Sequence, residues 1–372
     1  MKLSIERAAL LKTLGHVQNV VERRNTIPIL GNVLLSADSA GLKLAATDLD
    51  LEITETAPAN VSQPGSATAP AHTLYEIVRK LPEGAEVEIS LSSGDPRLEI
   101  KAGRSRFQLP SLSPADFPVL SAEGLAHSFS LSASALARLI DRTRFAISTE
   151  ETRYYLNGIH LHAQTANGES LLRAVATDGH RLALAELDLP DGAAGMPAVI
   201  VPRKTVAEVR RLLDDADQDV TVAVSEAKIR FEIGAAVLTS KLIDGSFPDY
   251  ERVIPRTNDR ALVLENKVFA QAVDRVATVS LEKSRSVKLS ISADTLTLVA
   301  NNPESGQATE EIAVDYGSEP LDIGFNARYL LDVSGQIQGD EATFLFNDTA
   351  SPALVKDSSD PHALYVLMPL RV

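Results

Sequence analysis

Asp178, His180 and Arg181 stand together in the run Asp178-Gly179-His180-Arg181, and these side-chain types can do chemistry. An acid and an imidazole two residues apart can hold a metal or relay a proton, and an adjacent guanidinium can hold a phosphate. Together they suggest a phosphoesterase. Two observations oppose that reading. No second His/Asp cluster with metal-ligand spacing lies nearby in the sequence. The same place earlier in the chain reads Asp48-Leu49-Asp50-Leu51, without His or Arg. A plainer reading stands beside the catalytic one: Thr177 and Asp178 are residue types that cap a turn between strands.

The comparison with Asp48 rests on a repeat. Ala46-Thr47-Asp48 returns as Ala176-Thr177-Asp178 and Phe117-Pro118 as Phe247-Pro248, each 130 residues later. Solenoid periods run to roughly 20–50 residues, so this period is a domain. The openings at Leu3, Phe129 and Leu262 each alternate like a strand and then take helical apolar spacing. Ser132 or Ser134 is a helix N-cap candidate in the second opening. Later in each third a second helix precedes a strand, and alternating segments fill the rest. The expected fold class is α+β, one plan used three times, over residues 1–122, 128–254 and 260–372. The breaks fall near 121–127 and 255–260, and Asp191–Ala198 reads as a flexible surface loop.

Composition narrows the function classes. A chain of 372 residues can bury two or three cores, and it has no apolar run of the roughly 18 residues that a membrane span needs. Without cysteine there are no disulfides, thiolate metal sites or cysteine nucleophiles, and a cytoplasmic location is the simplest expectation. The absence of Trp and the 5% aromatic content weaken readings that need stacking platforms. The net charge of −14 argues against a nucleic-acid partner, but its distribution argues the other way. Predicted helices at 6–24, 73–81, 134–145, 203–213, 267–276 and 327–337 total +9, leaving −23 elsewhere. Ordinary helix-surface charge is one explanation; a basic helical face that holds a polyanion inside an acidic exterior is the other.

Six strings in order carry a resemblance: Arg153-Tyr-Tyr-Leu-Asn-Gly158, Ala176-Thr-Asp-Gly-His-Arg-Leu182, Ile200-Val-Pro-Arg-Lys204, Ser240 to Tyr250, Ala300-Asn-Asn-Pro-Glu304, and Tyr365 to Val372. The chain resembles the bacterial DNA polymerase III beta sliding clamp family over its full length. The resemblance implies three clamp domains, each with two helices against antiparallel sheets. Two protomers are then expected to close head to tail into a six-domain ring around duplex DNA, with contacts independent of base sequence. It implies no catalysis, no cofactor, no metal and no membrane. Partners are the replicative polymerase and subunits of an ATP-driven clamp loader, bound through short linear motifs, in a cytoplasmic, nucleoid-associated setting.

By the same resemblance Leu156, Thr177, Gly179, His180, Arg181, Leu182, Pro248, Arg252, Val253, Asn326 and Tyr329 line the client-peptide pocket. Val366, Leu367, Met368, Pro369, Leu370 and Arg371 form one wall of it. Ser284 stands where the family can carry an aromatic, which implies a more open side. Arg24 and Tyr154 match loops that reach the DNA. Arg23 and Arg24 also read as cations at the end of the first helix, where its dipole favours them. Arg203 and Lys204 open a helix, where positive charge is unfavourable, so an external anion is the expected reason. Phe107 and Leu109 match the dimer strand and Thr278 and Val279 its receiving positions, Thr278 being less apolar than the pattern.

Overall fold

The computed structural model describes residues 1–92, 94, 96–121, 123–166, 168–280 and 285–371. Among them are six α-helices: α1 (Arg7–Val17), α2 (Ala71–Lys80), α3 (Ala133–Thr143), α4 (Arg203–Leu213), α5 (Asn266–Ala277) and α6 (Ala327–Ser334). Each follows directly on a strand, so the period of burial changes from two to helical spacing within a few residues. Helix α2 shows it, burying Ala71, Leu74 and Val78 on one face. Ser132, not Ser134, caps α3: its Oγ accepts from the Ala135 backbone N–H at 3.1 Å. Asn326 caps α6 in the same way, accepting from the Arg328 N–H at 2.9 Å.

Helix α1 ends at Val17, six residues before Arg23, so the helix-dipole reading of Arg23 and Arg24 falls. Both arginines lie exposed in the segment that follows. With the observed ends the six helices carry +2, +1, +1, +3, +1 and 0, a total of +8 that leaves −22 elsewhere. Much of that positive charge already has a partner. Arg138 and Arg142 both bind Asp360, Lys204 binds Glu22 and Asp48, and Arg275 binds Glu310, all carboxylates outside the helices. Helix charge read from sequence therefore overstates what an external polyanion can use.

The chain packs as two compact units: Met1–Ala137 with Pro190–Pro197 and Lys204–Leu242, and Arg138–Leu189 with Ala198–Arg203 and Ile243–Val372. The second repeat gives strands to both.

The first unit holds a five-stranded sheet ending in strand Ser105–Pro110 and an eight-stranded sheet. Strands of two repeats meet in the larger sheet, where Ala236–Lys241 runs antiparallel to Leu51–Ala57 with Leu238 opposite Ile53. The segment Asp191–Ala198 is not a loose loop. Ala193 and Met196 are buried, and Gly192, at φ +90°, packs so closely that a Cβ would lie 2.3 Å from the Ser128 carbonyl oxygen.

The second unit holds a nine-stranded and a four-stranded sheet. The nine-stranded sheet repeats the joint: Arg181–Asp188 runs antiparallel to Asp360–Leu367, with Leu182 opposite Val366. The four-stranded sheet has Gly306–Ala313 at its edge. Among the described residues no helix is long and apolar enough to cross a membrane.

Candidate functional site

The turn between strands Glu169–Thr177 and Arg181–Asp188 builds one side of the site. Thr177 Oγ1 donates to the Arg181 carbonyl at 2.6 Å and accepts from the Gly179 N–H at 3.1 Å. Asp178 Oδ1 accepts from the His180 and Arg181 N–H groups at 2.9 and 3.0 Å, and its Oδ2 from Arg181 Nε at 3.1 Å. The first repeat folds its counterpart alike. Leu49 N–H donates to Thr47 Oγ1, and Asp50 and Leu51 N–H donate to Asp48 Oδ1. Both turns need one left-handed residue, Leu49 at φ +79° and Gly179 at φ +87°. Thr177 and Asp178 are thus turn residues in either copy, as the plainer reading had it. Divergence begins at Gly179, where a Cβ would lie 2.6 Å from Arg153 Nη1.

Arg181 is buried and fully engaged. Besides Asp178 it donates from Nη1 to Asp332 and from Nη2 to the Phe145 carbonyl, and its guanidinium lies 4.4 Å from the Tyr329 ring centre and 5.1 Å from that of Phe145. Its charge is balanced by Asp178 and Asp332, so it lines the site as a fixed post, not as a free cation. His180 stacks on Tyr329 with ring centres 6.4 Å apart. Burial raises the Tyr329 hydroxyl pKa, with Asp178 adding to the rise.

Beside this turn lies a cavity of about 190 Å³ lined by Leu156, Thr177, Gly179, Arg181, Leu182, Pro248, Asp249, Tyr250, Val253, Val366 and Met368. The cavity brings together nine of the expected residues. The chain end is fastened there, since Met368 N–H donates to the His180 carbonyl at 2.9 Å and Leu370 N–H to the Gly324 carbonyl at 2.8 Å. Met368 stays 41% exposed after the strand ends, an apolar, adaptable side chain at the rim. Under the cavity Val175, Leu182, Leu184, Tyr250, Leu354 and Val366 form a packed core.

Apart from His180 and Tyr329, stacked beside the turn, the other expected residues sit elsewhere. Leu367 is fully buried in the sheet, and Asn326 has its side chain on the α6 cap. Arg252 is exposed and pairs with Asp249 at 2.7 Å. Pro369 and Leu370 are half-buried and Arg371 exposed, none of them on the cavity wall. Ser284 lies outside the described residues. Sequence reasoning missed Asp249 and Tyr250, although both stand in the quoted Phe247-Pro248-Asp249-Tyr250 run.

The expected DNA residues divide. Arg24, Arg203 and Tyr154 are exposed, Tyr154 by 53%. Lys204 is engaged within the chain. Its Nζ donates to the Val20 carbonyl and binds Asp48 and Glu22, so its place at a helix start has an internal reason and needs no external anion. Burial lowers the Lys204 pKa, but the hydrogen bonds it donates to Asp48 and Glu22, together with the charges of those carboxylates, raise it by more. Of the expected interface residues, Leu109 is 7% exposed within its own chain, Phe107 and Val279 are half-buried, and Thr278 is exposed at the end of α5.

Family models fit this chain in three consecutive stretches. Those for the N-terminal, central and C-terminal domains of the DNA polymerase III beta subunit match residues 1–121, 130–249 and 251–371. A beta sliding clamp of Caulobacter vibrioides is 64% identical over 372 residues, covering all of both chains. One from Pseudomonas aeruginosa is 43% identical over 373 residues, again covering both chains completely. Solved structures agree. A Caulobacter crescentus beta sliding clamp superimposes with TM-score 0.98 at 64% identity, covering 100% of this chain and 99% of that one. A Bartonella birtlesii clamp bound to griselimycin does so with TM-score 0.97 at 51% identity, covering both chains fully.

Proposed function

The chain belongs to the DNA polymerase III beta-subunit family, and from that premise we propose that two copies close head to tail into a ring around duplex DNA. Sliding clamps of this family are non-catalytic processivity factors for DNA polymerase III, and so is this chain. The ring tethers the replicative polymerase by topology, which keeps its local concentration high without tight binding. An ATP-driven loader places it on DNA in the cytoplasm. Loader and polymerase insert short linear motifs into the cavity at Leu156, Leu182 and Met368.

One observation carries the ring. Two joints of the same kind form inside the chain, Ala236–Lys241 on Leu51–Ala57 and Asp360–Leu367 on Arg181–Asp188. Each uses the last strand of one repeat and the strand after the Thr-Asp turn, or its counterpart, of another. A third such pair exists, Ser105–Pro110 and Gly306–Ala313, and both strands end their sheets unpaired. Unpaired edges are templates for strand addition. Joining these two edges between copies satisfies both, and two such joints related by a two-fold axis close a dimer.

The register of the made joint sets Leu238 opposite Ile53. Carried over by the repeat offset and the turn at Asn302, it sets Gln108 opposite Gln307 of the second copy. Because the protein has no cysteine, Gln108→Cys with Gln307→Cys gives a clean test. Oxidation is expected to lock a covalent dimer and nothing larger. A ladder of higher multimers contradicts closure, and no cross-link contradicts the joint.

A further inference from the structure

The cavity wall from Phe247 to Val253 has no strand of its own, only a three-residue turn of 3-10 helix at Tyr250–Arg252. What holds it is one face of the neighbouring sheet. Alternate residues of strand Gly158–Ala166 supply His160, His162 and Gln164, and Arg173 stands opposite His162 on the next strand. The His160 ring stacks on Phe247 at 4.6 Å and on His162 at 4.4 Å. His162 Nε2 lies 3.0 Å from the Tyr250 hydroxyl, and Arg173 Nη1 donates to that hydroxyl at 3.4 Å and to Glu251 at 3.0 Å. Arg173 is itself fixed by Glu186 at 2.6 Å.

His162 is 7% exposed, and its Nδ1 has no hydrogen-bond partner among the described residues. Tyr250 is therefore the ring's one polar hold. A buried group with an unmet nitrogen is unfavourable, and a single well-placed bond to a wall residue gives it a purpose.

We propose that Arg173 and His162 are positioning residues that fix Tyr250 as the wall of the client cavity. Neither lines the cavity; both act through the Tyr250 hydroxyl. With the hydroxyl held, the ring presents a fixed face to an entering apolar side chain. With it released, the wall turn must be ordered anew at each binding event, and affinity falls. The proposal rests on the cavity being the client site.

The test uses the full dimer with griselimycin as probe, the compound held by the Bartonella relative. Tyr250→Phe, His162→Phe and Arg173→Met are each expected to weaken griselimycin by about tenfold, the scale of one lost hydrogen bond. Tyr250→Phe combined with His162→Phe is expected to weaken it no further than either alone, because both remove the same bond. Dimer mass and melting temperature check the fold, and Tyr250→Phe carries the test if Arg173→Met misfolds. Unchanged affinity in Tyr250→Phe, or additive losses in the double variant, overturns the positioning role. Removing Met368–Val372 separates the two readings. If truncation abolishes binding while Tyr250→Phe does nothing, only the positioning role fails; if truncation leaves affinity intact, the site reading fails with it.

Discussion

Lys204 donates from Nζ to Asp48 Oδ2 at 2.7 Å, and the pair holds in the first repeat the turn that Arg181 holds through Asp178 in the second. The two copies share a turn and differ in what binds its carboxylate. In the second repeat the turn's own arginine does so, leaving the outer face beside a cavity. In the first the cation comes from α4.

Lys204→Met should therefore act on stability before it acts on DNA. It leaves Asp48, which is 14% exposed at its side chain, without its cation, at a cost of about 1–2 kcal/mol. Melting should show that loss, while retention on DNA should fall less than in Arg24→Ala with Arg203→Ala. Equal retention losses with no change in melting would restore Lys204 as a DNA contact.

How far the sequence reaches is visible at these residues. The α+β repeat, the Thr-Asp turn and the Ser132 cap depend on local spacing and were legible. Most cavity residues were legible only through family resemblance, because they come together from segments far apart in the chain. The partner of Lys204 was not legible, since Asp48 lies 156 positions away. Nor was Arg173 opposite His162, because strand register is a tertiary fact. The end of α1 was overextended past Val17, and that misplaced Arg23 and Arg24.

His16 makes one joint sensitive to pH. Its Nδ1 lies 2.6 Å from Glu55 and its Nε2 3.3 Å from Asp215, which Lys12 also reaches at 3.1 Å. The Glu55 hydrogen bond, against the effect of burial, holds the His16 pKa above its ordinary 6.5. The folded state thus keeps a proton that the unfolded state releases. The contribution is complete below pH 6.5 and is lost as pH rises through the folded value. The joint of the second unit has Arg138 and Arg142 on Asp360, an ion-pair cluster without an imidazole in it. Hydrogen exchange, corrected for intrinsic rate, should show Leu51–Ala57 losing protection with rising pH while Arg181–Asp188 does not. His16→Gln should abolish the difference; a parallel response in both strands would refute it.

His160 and His162 act at the other end of the scale. Burial lowers their pKa values to about 4 and about 3, with His160 and Arg173 adding to the fall at His162. Both are neutral in the fold, whereas the unfolded chain binds protons near pH 6.5. Their contribution to stability is complete above that value and is lost as pH falls toward about 4 and about 3. Urea midpoints measured between neutral and mildly acidic pH should fall, and His162→Phe should flatten the slope. A slope unchanged by that substitution would assign the acid sensitivity to other groups.

The ring itself is tested most directly by topology. The protein is loaded onto nicked circular DNA with a clamp loader, the free protein is removed, and the DNA is cut once. A closed ring has no base contacts and only modest phosphate attraction, so it should stay on the circle and leave the linear product. Retention on the linear DNA equal to that on the circle would mean ordinary binding and would contradict the account.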